Sequence, residues 1–77
     1  MLSKEEINAI KSRCENATKG PWKAFIEGRD MTCGSSFIRT NGADIEMIGA
    51  TEGDYDFIAN ARQDIPLLLD EIERLKS

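Results

Sequence analysis

Residues able to hold an anion are concentrated at two junctions of this chain. In the segment from Thr18 to Trp22, a glycine and a proline bring an indole close to the ammonium groups of Lys19 and Lys23. An indole stacks on flat rings, and nearby ammonium groups attract phosphate or carboxylate. The alternative is structural, with the segment ending a helix and Trp22 filling the core. The residues alone leave both interpretations open.

The second junction is Arg62-Gln63-Asp64, just before Pro66. An arginine there can grip a phosphate or carboxylate through two parallel hydrogen bonds, helped by free amides at a helix start. Asp64 would oppose an anion, so a local Arg62–Asp64 pair is the competing interpretation. With a basic residue from the predicted sheet, the candidate ligand-binding residues are Lys19, Trp22, Lys23, Arg39, Arg62 and Asp64.

Catalysis is not expected. The chain has no histidine to activate Cys33 or the serines that follow it, and no carboxylates are spaced as a catalytic pair. A structural zinc site would have only two thiols and carboxylates as ligands. One acidic cluster lacks the alternating oxygen ligands of a calcium loop; its residues are Asp44, Glu46, Glu52, Asp54 and Asp56. We therefore predict a non-enzymatic protein with no metal and no cofactor.

Charge and hydropathy exclude several classes of partner. The net charge of −4 argues against binding a nucleic acid polymer, although a local basic pocket for a small anion remains compatible with it. No apolar run approaches the ~18 residues that a membrane span needs. The amino terminus has no basic region followed by an apolar run, so no signal peptide is expected. These features predict a soluble, cytoplasmic protein.

Seventy-seven residues suffice for one small domain, here residues 1–77. A chain of this size buries a limited core and usually needs a disulfide, a metal or self-association. Cys14 and Cys33 can form at most one bridge, and two unpaired thiols are the simpler interpretation. Self-association is the stabilising device left, and we expect a homo-oligomer.

Residues 3–18 have the pattern of an amphipathic helix. Ser3 followed by Glu6 is a capping box, and apolar residues then recur at helical spacing. Gly20 and Pro21 end the pattern, since glycine suits a helix terminus and proline cannot continue one.

The middle of the chain predicts a three-stranded antiparallel sheet. Residues 22–27 and 31–40 have strand character, and Asn41-Gly42 favours a type I′ hairpin leading to a third strand that ends at Ala50. A two-residue turn places Ile38 opposite Ile45 and Arg39 opposite Asp44, which adds a charge pair across the hairpin.

Residues 52–76 predict two helices with a break near Pro66, because proline removes an amide and clashes with the preceding turn. The fold class is therefore α+β: an N-terminal helix, three strands and two C-terminal helices. The apolar stripe of the last helix is broader than the small sheet requires. Its residues are the candidate oligomer interface: Leu68, Leu69, Ile72 and Leu75.

Two segments together resemble a known group of proteins. The segment Asn16-Ala-Thr-Lys-Gly-Pro-Trp22 and the later run Asp56-Phe-Ile-Ala-Asn-Ala-Arg-Gln-Asp-Ile-Pro-Leu-Leu-Leu-Asp-Glu-Ile-Glu-Arg-Leu75 look like a pattern in small phage and prophage proteins of unknown function. The match covers about a third of the chain and does not include residues 23–50. The resemblance implies a phage-encoded protein in a bacterial cytoplasm, where such proteins often counter host defence.

These observations favour a binding protein that acts by occupancy. Our leading hypothesis is sequestration of a small anionic, nucleotide-type signal in the service of counter-defence. The alternatives are an inhibitor directed at a host protein, with an exposed apolar or acidic patch, and a minor phage structural or assembly protein.

Overall fold

The computed structural model describes residues 2–76, which form two helices and a two-stranded antiparallel sheet. The elements are α1 (Lys4–Asn16), β1 (Lys23–Phe25), β2 (Phe37–Arg39) and α2 (Glu52–Lys76). The predicted α+β arrangement of three strands and two C-terminal helices is wrong in two respects: there is no complete third strand within these residues, and the C-terminal segment is one helix.

The start of α1 follows the predicted capping box. The Ser3 hydroxyl accepts a hydrogen bond from the Glu6 amide at 3.1 Å, and the Glu6 carboxylate accepts one from the Ser3 amide at 2.9 Å. These two bonds satisfy amides that have no partner within the helix. A second reciprocal pair, Thr51 with Asp54, starts α2 in the same way at 2.9 and 3.1 Å.

The third strand is reduced to a single bridge. Ile38 and Ile45 exchange both backbone hydrogen bonds, at 2.8 and 2.9 Å, which is the predicted register. The next hydrogen-bonded pair expected in that register, Ser36 and Met47, is separated by the hydroxyl of Tyr55. This hydroxyl accepts from the Met47 amide at 3.1 Å and lies 3.2 Å from the Ser36 carbonyl. A side chain from α2 thus takes the place of a direct strand pairing.

The predicted turn at Asn41-Gly42 also has a different structure. A type I′ turn needs positive φ at both residues, but within residues 2–76 positive φ occurs only at Gly28, Gly34 and Gly49. The Thr40 hydroxyl closes the turn instead, accepting from the Gly42 amide at 2.9 Å and donating to the Ala43 carbonyl at 2.8 Å. The predicted strand over 31–40 is correspondingly short, since only Phe37–Arg39 is in the sheet.

Pro66 does not break the C-terminal helix. An interior proline costs about 3 kcal/mol through a lost hydrogen bond and a steric clash. Contacts on both sides of Pro66 offset this cost. Before it, the Gln63 side chain accepts a hydrogen bond from the Trp22 amide. After it, Leu69 is buried and Glu73 forms an ion pair with Lys11 of α1 at 3.1 Å. The local proline rule is overridden by tertiary packing.

The core lies where the hairpin meets the first half of α2. Ile38 is fully buried there, against Ala24, Ile26, Tyr55 and Ala59. The second half of α2 extends beyond the sheet and packs on α1, giving a molecule of 48 × 20 × 20 Å. No helix within residues 2–76 is long and apolar enough to cross a membrane.

Candidate functional site

The outer face of the hairpin carries two cations over a pair of stacked rings. Phe25 and Phe37 are stacked with centroids 5.3 Å apart and an angle of 13° between their planes. The Arg39 guanidinium carbon lies 4.9 Å from the Phe25 centroid and 5.7 Å from the Phe37 centroid. The Lys23 ammonium lies 5.3 Å from the centroid of Phe25. We call these four residues the cationic–aromatic face.

Strand alternation and register build this face. Successive side chains of a strand point to opposite sides, so Ala24 and Ile38 enter the core while their neighbours turn outward. The antiparallel register then sets Lys23 opposite Arg39 and Phe25 opposite Phe37. Two of the predicted ligand-binding residues are therefore direct cross-strand neighbours.

The two cations of this face keep their hydrogen-bond donors available. Lys23 and Arg39 are exposed, and within residues 2–76 neither has a hydrogen bond or an ion pair to a carboxylate. The predicted Arg39–Asp44 pair is not formed there. Rings attract cations through their faces without using the N–H groups. The face thus combines free donors for an anion with a guanidinium plane on which a flat ring can stack.

Arg29 shows the opposite environment for an arginine. Its guanidinium donates to Asp56 at 2.8 and 3.0 Å, to Asp30 at 2.9 Å and to Glu52 at 2.7 Å. Gly28, at φ 84°, makes the tight turn that presents it. These bonds lower the pKa values of Asp56 and Asp30 and raise the pKa of Arg29. The Arg29 cluster fastens the β1–β2 connection to the start of α2 and offers no free donor pair to a ligand.

Trp22 and Arg62 meet on the other side of the sheet, at one backbone oxygen. The Trp22 indole N–H donates to the Thr18 carbonyl at 2.9 Å, and Arg62 Nε donates to the same oxygen at 3.0 Å. Trp22 also packs against the core. The structure therefore brings these two candidate residues together, and their polar groups hold the end of α1 in place.

Gln63 completes this junction. Its side-chain oxygen accepts from the Trp22 amide at 2.7 Å, and its nitrogen donates to the Trp22 carbonyl at 3.1 Å. A Cβ at Gly20 would lie 3.2 Å from the Gln63 oxygen and 3.4 Å from the Trp22 nitrogen, so glycine permits this close approach. The sequence analysis assigned no role to Gln63, because an amide side chain in a helix carries no pattern of its own.

The remaining predicted residues lie apart from the cationic–aromatic face. Lys19 is exposed, and its carbonyl accepts from the Asn41 amide at 3.0 Å. Asp64 is exposed on α2 and does not contact Arg62 through a hydrogen bond or ion pair among residues 2–76. Of the predicted interface residues, Leu68 and Leu75 are exposed, Ile72 is half-buried and Leu69 is buried.

The structure also shows a pair that the sequence analysis missed. Phe25 and Phe37 were treated only as strand formers, yet they form the base of the cationic–aromatic face. The signal was present in the order Lys23-Ala-Phe25 and Phe37-Ile-Arg39, because alternation places each phenylalanine beside its cation. The sequence did not predict the register of β1 against β2, because the loop between the two strands does not determine it.

The described part of the chain contains no metal site, and its two cysteines are not paired. No group of three or more potential ligands from histidine, cysteine, aspartate and glutamate is placed to hold a metal ion within residues 2–76. Cys14 is half-buried on α1, Cys33 is exposed in the loop before β2, and both are free thiols.

Comparison with known proteins does not identify a function for this site. No family model, no curated protein and no solved structure matches the chain. What the cationic–aromatic face can bind therefore follows only from the geometry of its own residues.

Proposed function

We propose that this protein is a non-enzymatic binding protein that acts by occupancy, with a small anion of the nucleotide class as its ligand. The observation that carries the proposal is the cationic–aromatic face. Lys23 and Arg39 stand side by side over stacked rings, with no hydrogen bond or ion pair to a carboxylate among residues 2–76. Phosphate oxygens would take the free donors, and the base would stack on the guanidinium plane of Arg39.

The size and charge of the protein favour a small ligand over a polymer. The face offers two cations on a chain with a net charge of −4, whereas polymer binding draws its affinity from neutralising many phosphates. The resemblance to phage proteins suggests a setting for this activity. In a bacterial cytoplasm, binding a nucleotide signal would withhold it from a host defence system.

Thermal shift and calorimetry with defined nucleotides test the proposal. The probes are nucleoside mono- and diphosphates, cyclic dinucleotides and ADP-ribose, each titrated at low ionic strength. A ligand at about 100 times its dissociation constant should stabilise the fold by about 2.7 kcal/mol, because it binds only the folded state. No stabilisation by any of these probes would overturn nucleotide sequestration and favour the protein-directed inhibitor.

Substitutions locate the site. Charge-assisted hydrogen bonds are the strong ones in anion recognition, so Arg39→Ala should weaken binding roughly 10- to 100-fold. Arg39→Lys keeps the charge but removes the stacking plane, and should retain part of the affinity. Lys4→Ala, an exposed cation on α1, is the matched control. Equal losses in Lys4→Ala and Arg39→Ala would show a diffuse charge effect and contradict a site on the hairpin.

A further inference from the structure

A second apolar stripe runs along α2, next to the residues that pack in the subunit. Its residues are spaced alternately by three and four positions, which is the heptad pattern of helices that pair side by side. Isoleucine occupies one heptad position, and leucine or alanine occupies the other. We call these residues the α2 seam: Ile58, Ala61, Ile65, Leu68, Ile72 and Leu75.

Two seam residues are mostly open to solvent within the subunit, and the other four are partly covered. Leu68 and Leu75 are 62% and 70% exposed, Ile58 and Ile65 are 37% and 38% exposed, and the other two members are half-buried. Isolated apolar residues on a surface are ordinary, but a continuous apolar stripe marks an interaction surface. The seam extends over about 26 Å of helix.

The elongated shape of the subunit is consistent with a seam that its own chain leaves partly uncovered. Its radius of gyration is 14.9 Å, whereas a compact chain of this length has a value of about 11–12 Å. The excess arises because α2 extends past the sheet and is covered only by α1 in its second half. A 510 Å³ groove between α1 and the first half of the seam, lined by Ile10 and Ala17 among others, widens the apolar surface.

We propose that two copies of this chain associate through the α2 seam as a parallel pair of α2 helices. In a parallel arrangement, isoleucine at one core position and leucine at the other favours a pair of helices over a larger bundle, since each fits the packing geometry of its layer. A second copy is the occupant that matches the seam in length and spacing, because it presents the same heptads.

Charges beside the seam select the parallel orientation. The flank of α2 on one side of the seam carries Asp64 and Glu71, and the other flank ends in Lys76. In a parallel pair Glu71 of one copy faces Lys76 of the other, at the positions that normally form interhelical ion pairs. Glu71 also pairs with Arg74 of its own helix, and a carboxylate accepts both. In an antiparallel pair the acidic flanks would face each other and repel.

The pair would leave the cationic–aromatic face open. Tyr55 and Ala59 are buried in the core against the hairpin, whereas Ile58 and Ile65 lie outside that core and are partly exposed. The outer face of the hairpin is on the far side of the sheet from α2. Two copies joined along the seam would therefore carry two independent ligand faces, and association does not depend on the proposed ligand.

Adjacent leucines provide the test. Leu68 is in the seam and Leu67 is outside it, yet they are equally exposed at 62% and 65%. Sedimentation equilibrium of the full chain should show a dimer. Leu68→Glu should raise the dissociation constant about 100-fold or more, because two unpaired carboxylates would enter the apolar contact. Leu67→Glu should leave the constant within about threefold of the original value, since a surface change of this kind has little effect.

Circular dichroism keeps this test interpretable. Both substitutions replace an exposed residue, so the helix content of the two variants should equal that of the unmodified chain. A monomer at every concentration up to the millimolar range would overturn the proposal. Equal loss of association in the Leu67 and Leu68 variants would also overturn it, because the contact would then not follow the heptad.

A cysteine at the end of the seam tests orientation. In a chain with Cys14→Ser and Cys33→Ser, Leu75→Cys should form an interchain disulfide under mild oxidation, because equivalent seam residues are in contact in a parallel pair. In an antiparallel pair the two introduced thiols would be separated by roughly the length of the seam. A dimer that does not crosslink would therefore contradict the parallel arrangement.

Discussion

The two sides of α2 differ in how they use their apolar residues. On one side Tyr55, Ala59 and Leu69 are buried against the hairpin and α1, and they account for the α2 part of the core. On the other side the α2 seam has the stronger periodicity and is only partly covered. The side with the more regular pattern is thus not the side that holds the subunit together.

This difference shows what apolar periodicity does and does not determine. An apolar stripe on a helix predicts that this side of the helix packs against another element. It does not determine whether that element belongs to the same chain or to a second one. On α2 the packed side is irregular because it must fit a hairpin and a short helix. The seam is regular because a straight, repeating surface is what another helix requires.

The largest expected contrast comes from truncating neighbouring leucines on the two sides. Leu69→Ala should lower the free energy of unfolding by about 2–4 kcal/mol, because it removes a buried side chain and leaves a cavity. Leu68→Ala should change it by less than about 0.5 kcal/mol when the protein is dilute enough to be monomeric. Urea unfolding at low and high protein concentration measures both.

Concentration dependence provides the control for this pair. Raising the protein concentration should stabilise the unmodified chain and the Leu69 variant alike, since association favours the folded state. The Leu68 variant should gain less. Equal losses of stability at the two positions would remove the distinction between a packed side and an associating side.

A smaller effect is expected from one hydroxyl on the packed side. Tyr55→Phe should cost about 1–2 kcal/mol, because the Met47 amide would lose its partner while remaining partly buried. The same change would remove the bridge between Ser36 and Met47, so hydrogen exchange at Met47 should accelerate. Phe57→Leu, on an exposed part of α2, should change neither quantity appreciably. Unchanged exchange at Met47 would show that the hydroxyl does not hold the third segment of the sheet.

Tyr55 also marks the limit of what the sequence predicts. The capping box at Ser3 depends on residues three apart, and the Ile38–Ile45 register depends on a short hairpin, so local patterns sufficed for them. The loss of the third strand depends on a hydroxyl that arrives from a different element. No local pattern contains that information.

Pro66 and the cationic–aromatic face show the same limit. Pro66 predicts a break by a local rule, but the contacts of Gln63, Leu69 and Glu73 keep the helix continuous. Lys23 and Arg39 were identified as candidate anion ligands from residue type, whereas their placement over Phe25 and Phe37 follows from a register between segments separated by a loop. The chemistry of each residue could be inferred from its type, but the sequence did not show which of these residues lie together.

The smallest effect should come from the exposed Arg29 cluster, which fastens the packed side of α2 at its first turn. Hydrogen bonds from Arg29 lower the pKa values of Asp30 and Asp56 in the folded state. A carboxyl group with a depressed folded pKa contributes stability above its unfolded pKa of about 3.9 and loses it as pH falls through the folded value. Stability should therefore decline below about pH 4, and only slightly, because these groups are exposed and screened by solvent.

Replacing one carboxylate isolates this contribution. Asp56→Asn should lower stability at neutral pH and flatten its decline below about pH 4. Asp44→Asn is the matched control, since Asp44 is exposed and has no hydrogen bond or ion pair to other residues in 2–76. Urea midpoints across this range supply the measurement. An identical acid response in the two variants would mean that the Arg29 cluster does not fasten α2.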